Sequence, residues 1–179
     1  MAYEHIAALK AMALCRALSA TELEAIAAIV ESRQIAAGND LFREGDQGDG
    51  LFLVVAGEIN IIKRGPSGEH SLARLDAGGV LGEMSLVTAE ARSATGRALV
   101  DTQALFLPAA RFRALLATNS IAAHKMVAAI AEVLARRLAT MNGVVLQLAG
   151  NPGSAGTERS PLKTQDLAAL HRTMQVWSF

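Results

Sequence analysis

The segment GGVLGEMSLVTAEARSATGRAL, Gly78–Leu99, decides how this chain is read. It holds a glycine turn, an acid at Glu83, a short apolar run, and then Arg92 followed by small residues. Glycine at 82 lets the backbone come close to a neighbour or ligand. GEMSLV can form one helical turn from Glu83, and the first amides of such a turn, those of Met84 and Ser85, lack an intrachain acceptor. Arg92 adds a guanidinium and Ser93 a hydroxyl and an amide, while Ala91, Ser93 and Ala94 leave room against the backbone. This set suits a singly charged phosphate diester, which needs a planar cationic fork and several N–H donors. A carboxylate beside a phosphate is repelled, so Glu83 is expected to turn away and accept from neutral hydroxyls such as those of a ribose. The ligand implied has one sugar, one phosphate and a base. Taken alone, the two dipeptides favour a solvated hairpin turn and a Glu83–Arg92 salt bridge; the surrounding pattern changes the weighting.

Lys and Arg number 17 and Asp and Glu 17, so the formal net charge is zero. That argues against a large electrostatic footprint for nucleic acid or an anionic membrane, while leaving room for one local anion site. Aromatic residues make up only 4 % against 51 % hydrophobic overall, so alanine and aliphatic side chains build the interior. The single cysteine, Cys15, allows no internal disulfide and suits a reducing compartment. The apolar N-terminal region carries charges at Glu4, Lys10, Arg16, Glu22 and Glu24, which interrupt any run of the ~20 residues a membrane span needs. A cytoplasmic, soluble protein is the expectation.

Residues 1–33 are helical in pattern, and Ser19-x-x-Glu22 reads as a capping box, which predicts helices near 3–17 and 20–32. From Ile35 onward AAGND, EGDQGDG, GPSG and DAGG interrupt short strand-like runs: LFLVVA, EINIIKR, SLARL and ALVDTQALFLP. Short strands between Gly-rich turns predict an all-β sandwich or barrel over 34–108, ended by Pro108. Residues 109–149 read as a short helix, AARFRALLATN, then a long one that Ser120 can cap. Val127, Ile130, Leu134, Leu138, Met141, Val145 and Leu148 recur along it at steps of three and four, a stripe that must be buried on the β domain or on a partner. Residues 150–179 read as a linker, NPGSAGTERSP, and a short amphipathic tail bearing Leu167, Leu170, Met174 and Trp177.

These residues resemble the cyclic-nucleotide-binding domain of catabolite activators, kinase regulatory subunits and gated channels. Gly78, Gly82, Glu83, Leu86, Arg92, Ser93, Ala94 and Thr95 fall in the order of that family's phosphate-binding cassette, and Glu44, Gly45, Asp46, Gly48 and Gly57 match its EGD turn and strand–glycine–strand hairpin. Leu81, Gly79 and Gly96 depart from it, standing where an aromatic, an aspartate and a β-branched residue are common. The resemblance implies a mainly β fold, a double-stranded β-helix (a jelly-roll-like β-roll) with N-terminal helices and a long C-terminal helix. It implies that Arg92, with Ser93, Met84, Ser85 and Ala94, holds the cyclic phosphate and that Gly82 and Glu83 hold the ribose. By position, Ile61, Leu72 and Arg74 on strands and Met141 or Asn142 on the long helix would meet the base.

The implied ligand is a cyclic nucleotide, cyclic AMP favoured over cyclic GMP, with no cofactor and no metal. His5, His70, His124 and His171 are scattered, and no triad or metal spacing appears, so an enzyme is not expected. Expected partners are a second copy through the long helix and an effector protein of unknown identity. DNA binding is not expected, since TQDLAALHRTMQ is followed by no recognition helix or wing. Two alternatives stand beside the sensor: a truncated or degenerate catabolite-activator-type regulator, and a ligand-free β-roll used as an interaction module.

Overall fold

The computed structural model describes residues 2–88 and 90–149, with side chains described from 4 to 143 apart from Val87 and Ala89. The expected linker and tail over 150–179, and the side chains of Val145 and Leu148, lie outside the described residues.

The N-terminal helices are shorter than the sequence suggests. α1 runs Ala2–Ala11, a 3-10 turn follows over Ala13–Cys15, and α2 covers Ala20–Ala27. The break falls at Met12, whose backbone is extended. α2 starts at the expected capping box: Glu22 N–H donates to Ser19 Oγ and Ser19 N–H to Glu22 Oε2, at 3.4 and 2.7 Å. It stops at Ala27, because Glu31–Ile35 forms β1 and pairs antiparallel with β8, Thr102–Pro108. Pairing with a neighbouring strand overrides the weak helical preference of ESRQI.

Between them lie β2 (Asp40–Phe42), β3 (Gly50–Ala56), β4 (Ile59–Gly65), β5 (Gly68–Leu75), β6 (Val80–Leu81), α3 (Glu83–Thr88) and β7 (Thr95–Ala98). They make two four-stranded sheets, in the orders β1-β8-β3-β6 and β2-β7-β4-β5, with antiparallel pairing throughout the described strands. The result is the mainly β roll with flanking helices that the resemblance implies.

β3 and the second part of β8, from Ala104, read as apolar runs because each serves two interiors. Side chains alternate across a strand. Leu51 and Leu53 of β3 and Leu105 and Leu107 of β8 therefore face the helices, where they join Leu9, Leu23, Ile26, Phe112, Met126 and Ile130. Phe52, Val54, Ala104 and Phe106 point the other way, into the roll, against Ile59, Leu75, Leu81 and Ala98.

Pro108 leads into α4 (Ala109–Ala117), and Asn119, at φ 57°, separates it from α5 (Ile121–Ala149). The first half of α5 is packed: Ala122, Ala123, Met126 and Ile130 are buried. Further along, the apolar stripe leaves the body, and Leu138 and Met141 are 60 % and 55 % exposed. No single described helix is long and apolar enough to cross a membrane.

Candidate ligand-binding site

Arg92 lies inside the protein, 3 % exposed. The EGD turn clamps its backbone: Arg92 N–H donates to Asp46 O at 2.8 Å, and its carbonyl accepts from Gly45 N–H at 2.9 Å. The side chain then runs inward. Nη1 donates to Gly50 O at 2.7 Å, and to Gly82 O and Ser85 Oγ at 3.4 Å; Nη2 donates to Asp49 Oδ1 at 2.6 Å. The guanidinium carbon lies 4.4 Å from the centre of the Phe42 ring and 5.7 Å from that of Phe52. Nε is buried and has no acceptor among the described residues. A buried cation whose one carboxylate partner is 68 % exposed, with a donor left over, has unused capacity for an anion.

Gly82 makes this packing possible. Its φ is +80°, and a Cβ there would sit 2.1 Å from Arg92 Nη1. Glu83, opening α3, is buried at 5 % exposure and pairs with Arg137 of α5. Arg137 Nη2 also donates to Val80 O at 2.9 Å, so α5 is tied to both ends of the turn. The Glu83 carboxylate is thus taken by a cation from a helix 54 residues later, where the sequence suggested neutral hydroxyls.

The other expected residues fall into two groups. Gly82, Ser85 and Arg92 touch one another, while Met84 and Ser93 are exposed and Ala94 half-buried beside them. The base residues are dispersed. Ile61 packs inside the roll, Leu72 is half-buried on β5, and Arg74 is exposed with Nη1 3.5 Å from Glu58. Met141 and Asn142 are exposed on α5, one turn beyond Arg137.

Three contributors escaped the sequence reading: Asp49, Arg137 and Phe42. Asp49 was visible as the second aspartate of EGDQGDG, and Arg137 as a basic residue four positions before Met141. Phe42 is one of only five phenylalanines, and three of these, Phe42, Phe52 and Phe106, stack in sequence with centroids 5.8 and 4.7 Å apart.

A groove of about 400 Å³ runs between the 3-10 turn and α5 and reaches Val80 and Arg137, and a polar concavity of about 680 Å³ surrounds Asp40, Arg64 and Arg97. Arg92 lines neither. Cys15, buried in the helical core, has its thiol pushed up to about 12 by desolvation, which keeps it protonated and unreactive. Among the described residues no cluster of three or more His, Cys, Asp or Glu side chains could hold a metal ion.

The two-sheet antiparallel β-roll with flanking helices defines the class of fold. The sequence profile of the cyclic nucleotide-binding domain matches residues 32–119, and the chain belongs to that family. It is 33 % identical over 131 residues to the cyclic AMP receptor protein of Thermus thermophilus, covering 73 % of this chain and 59 % of the relative. It thus spans less than two thirds of that protein's length. Among solved structures it resembles the N-terminal domain of a transcriptional regulator from Streptomyces coelicolor, with 31 % identity and TM-score 0.64 over 76 % of this chain and 95 % of that one. It also resembles a cyclic nucleotide-binding domain from Methylobacillus flagellatus, with 26 % identity and TM-score 0.71 over 87 % and 85 % of the two chains.

Proposed function

We propose that this chain is a non-enzymatic cyclic-nucleotide sensor, with cyclic AMP preferred, acting in the cytoplasm. The observation that carries the reading is the buried Arg92 guanidinium with its spare Nε–H, set beside Gly82 and Ser85. The cyclic phosphate takes Arg92, with the amides and hydroxyls of Met84, Ser85, Ser93 and Ala94 around it. The ribose takes Gly82 and Glu83, and the base lies toward Ile61, Leu72 and Arg74, covered by Met141 and Asn142. The name of the Thermus relative supports cyclic AMP as the nucleotide.

Arg92 Nη1 and Nη2 already hold Gly50, Gly82, Ser85 and Asp49, so uptake of a nucleotide rearranges the cassette. Arg137 links Glu83 to α5, so a hydroxyl arriving at Glu83 reaches the long helix through the same carboxylate. α5 is then the lid, α4 and Asn119 its hinge, and the ligand shifts its position by binding the two arrangements unequally. Leu138 and Met141 give α5 an apolar surface for a second copy, through which an effector protein reads the change.

Calorimetric titration with cyclic AMP and cyclic GMP tests the reading. Saturable uptake of cyclic AMP, tighter than of cyclic GMP, is expected, and a chain that takes up neither refutes it. A second reading, the sensory part of a transcription regulator, draws support from the likeness to the Streptomyces domain. Salt-dependent retention of a specific DNA by the chain would favour it.

A further inference from the structure

Gly96, one of the departures from the resembled cassette, has a structural counterpart across the sheet. β2 and β7 pair with a register shift between residues 40 and 42, so that Asp40 lies opposite Arg97 and Phe42 opposite the adjacent Gly96. In a regular strand, positions 40 and 42 would face the same side. The extra residue re-aims them, as bulges do. Asp40 turns outward to Arg97 Nε at 2.7 Å, while Phe42 turns into the roll, over Gly96 and against Arg92. A Cβ at 96 would come within 3.3 Å of Phe42 Cζ and 3.2 Å of Leu81 Cδ1, so the ring fills the space a β-branched side chain would claim.

We propose that Phe42, seated on Gly96, is a positioning residue for Arg92 and sets this chain's affinity for an anionic ligand. The inference rests on Arg92 being the phosphate ligand. A guanidinium hydrogen-bonds within its plane and leaves its two faces apolar. Gly50 O, Gly82 O, Ser85 Oγ and Asp49 take the Nη donors, while the guanidinium carbon lies over the Phe42 ring, which holds the group without supplying an acceptor to Nε–H. Phe52, 5.8 Å from Phe42, backs the ring and limits its movement. Attraction between the cation and the ring's negative face, strengthened by burial, keeps a long flexible side chain in its binding position before the ligand arrives.

The test is calorimetric titration of the full chain with cyclic AMP. Phe42→Leu should raise Kd about tenfold, which is about 1.4 kcal/mol. Phe42→Tyr, which keeps the ring, should restore most of the loss. Replacing Phe42 by phenylalanines of increasing ring fluorination drains the π-face with little change of shape, and Kd should climb with each fluorine. Gly96→Val should weaken binding in the natural background and add little on top of Phe42→Leu. Tight binding across a flat fluorine series overturns this proposal alone, as does tighter binding by Phe42→Leu, which would mean the ring opposes the ligand. A wild-type chain that binds no nucleotide overturns it together with the sensor reading.

Discussion

Two arginines five residues apart make opposite use of their charge. Arg97 sits on the outer face of β7, and its charge is fully answered. Nε donates to Asp40 at 2.7 Å and Nη1 to Glu69 at 3.0 Å, which pushes its pKa further up. The hydrogen bond from Arg97 also holds the Asp40 carboxyl below its ordinary range. Arg92 is far more buried, yet has one largely exposed carboxylate, three neutral acceptors and an Nε with none. Burying a cation with so little compensation costs stability that a purely structural ion pair would not need to spend. A matched charge on the outside maintains the fold; an under-matched one inside is suited to an anion that comes and goes.

The sharpest way to break this contrast is Arg92→Ala. Losing one partner of a buried charged contact costs about 2–5 kcal/mol, so nucleotide affinity should fall about thirtyfold or more. The circular dichroism spectrum should remain that of a folded β protein. Unchanged affinity in a calorimetric titration would remove Arg92 from the site.

Glu83→Gln should have a smaller effect. The amide can still accept from a hydroxyl but no longer carries the charge that Arg137 pairs with. Hydrogen bonds to charged groups contribute about 1.5–3 kcal/mol, so affinity should fall about ten- to a hundredfold. Amide exchange along α5 near Arg137 should quicken, because the tie between helix and cassette is weakened. Loss of affinity with unaltered exchange would mean that Glu83 binds ligand without holding the helix.

The Arg92 half of the contrast was legible in the sequence and the Arg97 half was not. The cassette's order is local: the glycine at 82, the acid at 83 and the arginine at 92 lie within eleven positions, and turn chemistry and charge suffice to read them. The strands that complete the site are different. Polar, half-exposed stretches such as Glu31–Ile35 and Thr95–Ala98 carry little strand signal, and their pairing supplies what their composition lacks. Arg137 and Phe42 each lie more than forty positions from the residue they contact. One depends on where α5 crosses the cassette, the other on a single irregularity in β2. The apolar stripe on α5 was readable as a stripe, but where it would leave the body, between Leu134 and Leu138, was set by the length of the helical layer beneath it.

Arg97→Ala is the smallest and most discriminating change. It should leave nucleotide affinity unaltered at pH 7, because Arg97 points out of the roll while its neighbours Gly96 and Ala98 are buried. It should lower stability by at most about 1 kcal/mol, the range for partly solvated pairs, or about 2–4 °C in melting temperature. The pH dependence fixes the origin of that loss. Asp40 has a lowered pKa in the folded chain, so its contribution is present above the ordinary carboxylate value near 3.8 and disappears as pH falls through the folded value. Melting curves of the two proteins should therefore differ at neutral pH and draw together in the acid range where pH falls through the lowered folded pKa of Asp40. A gap that persists into that acid range would show that Arg97 acts by packing on the sheet rather than through Asp40. A loss of affinity at pH 7 would show that the outer ion pairs also shape the cassette, and the two arginines would then serve one function instead of two.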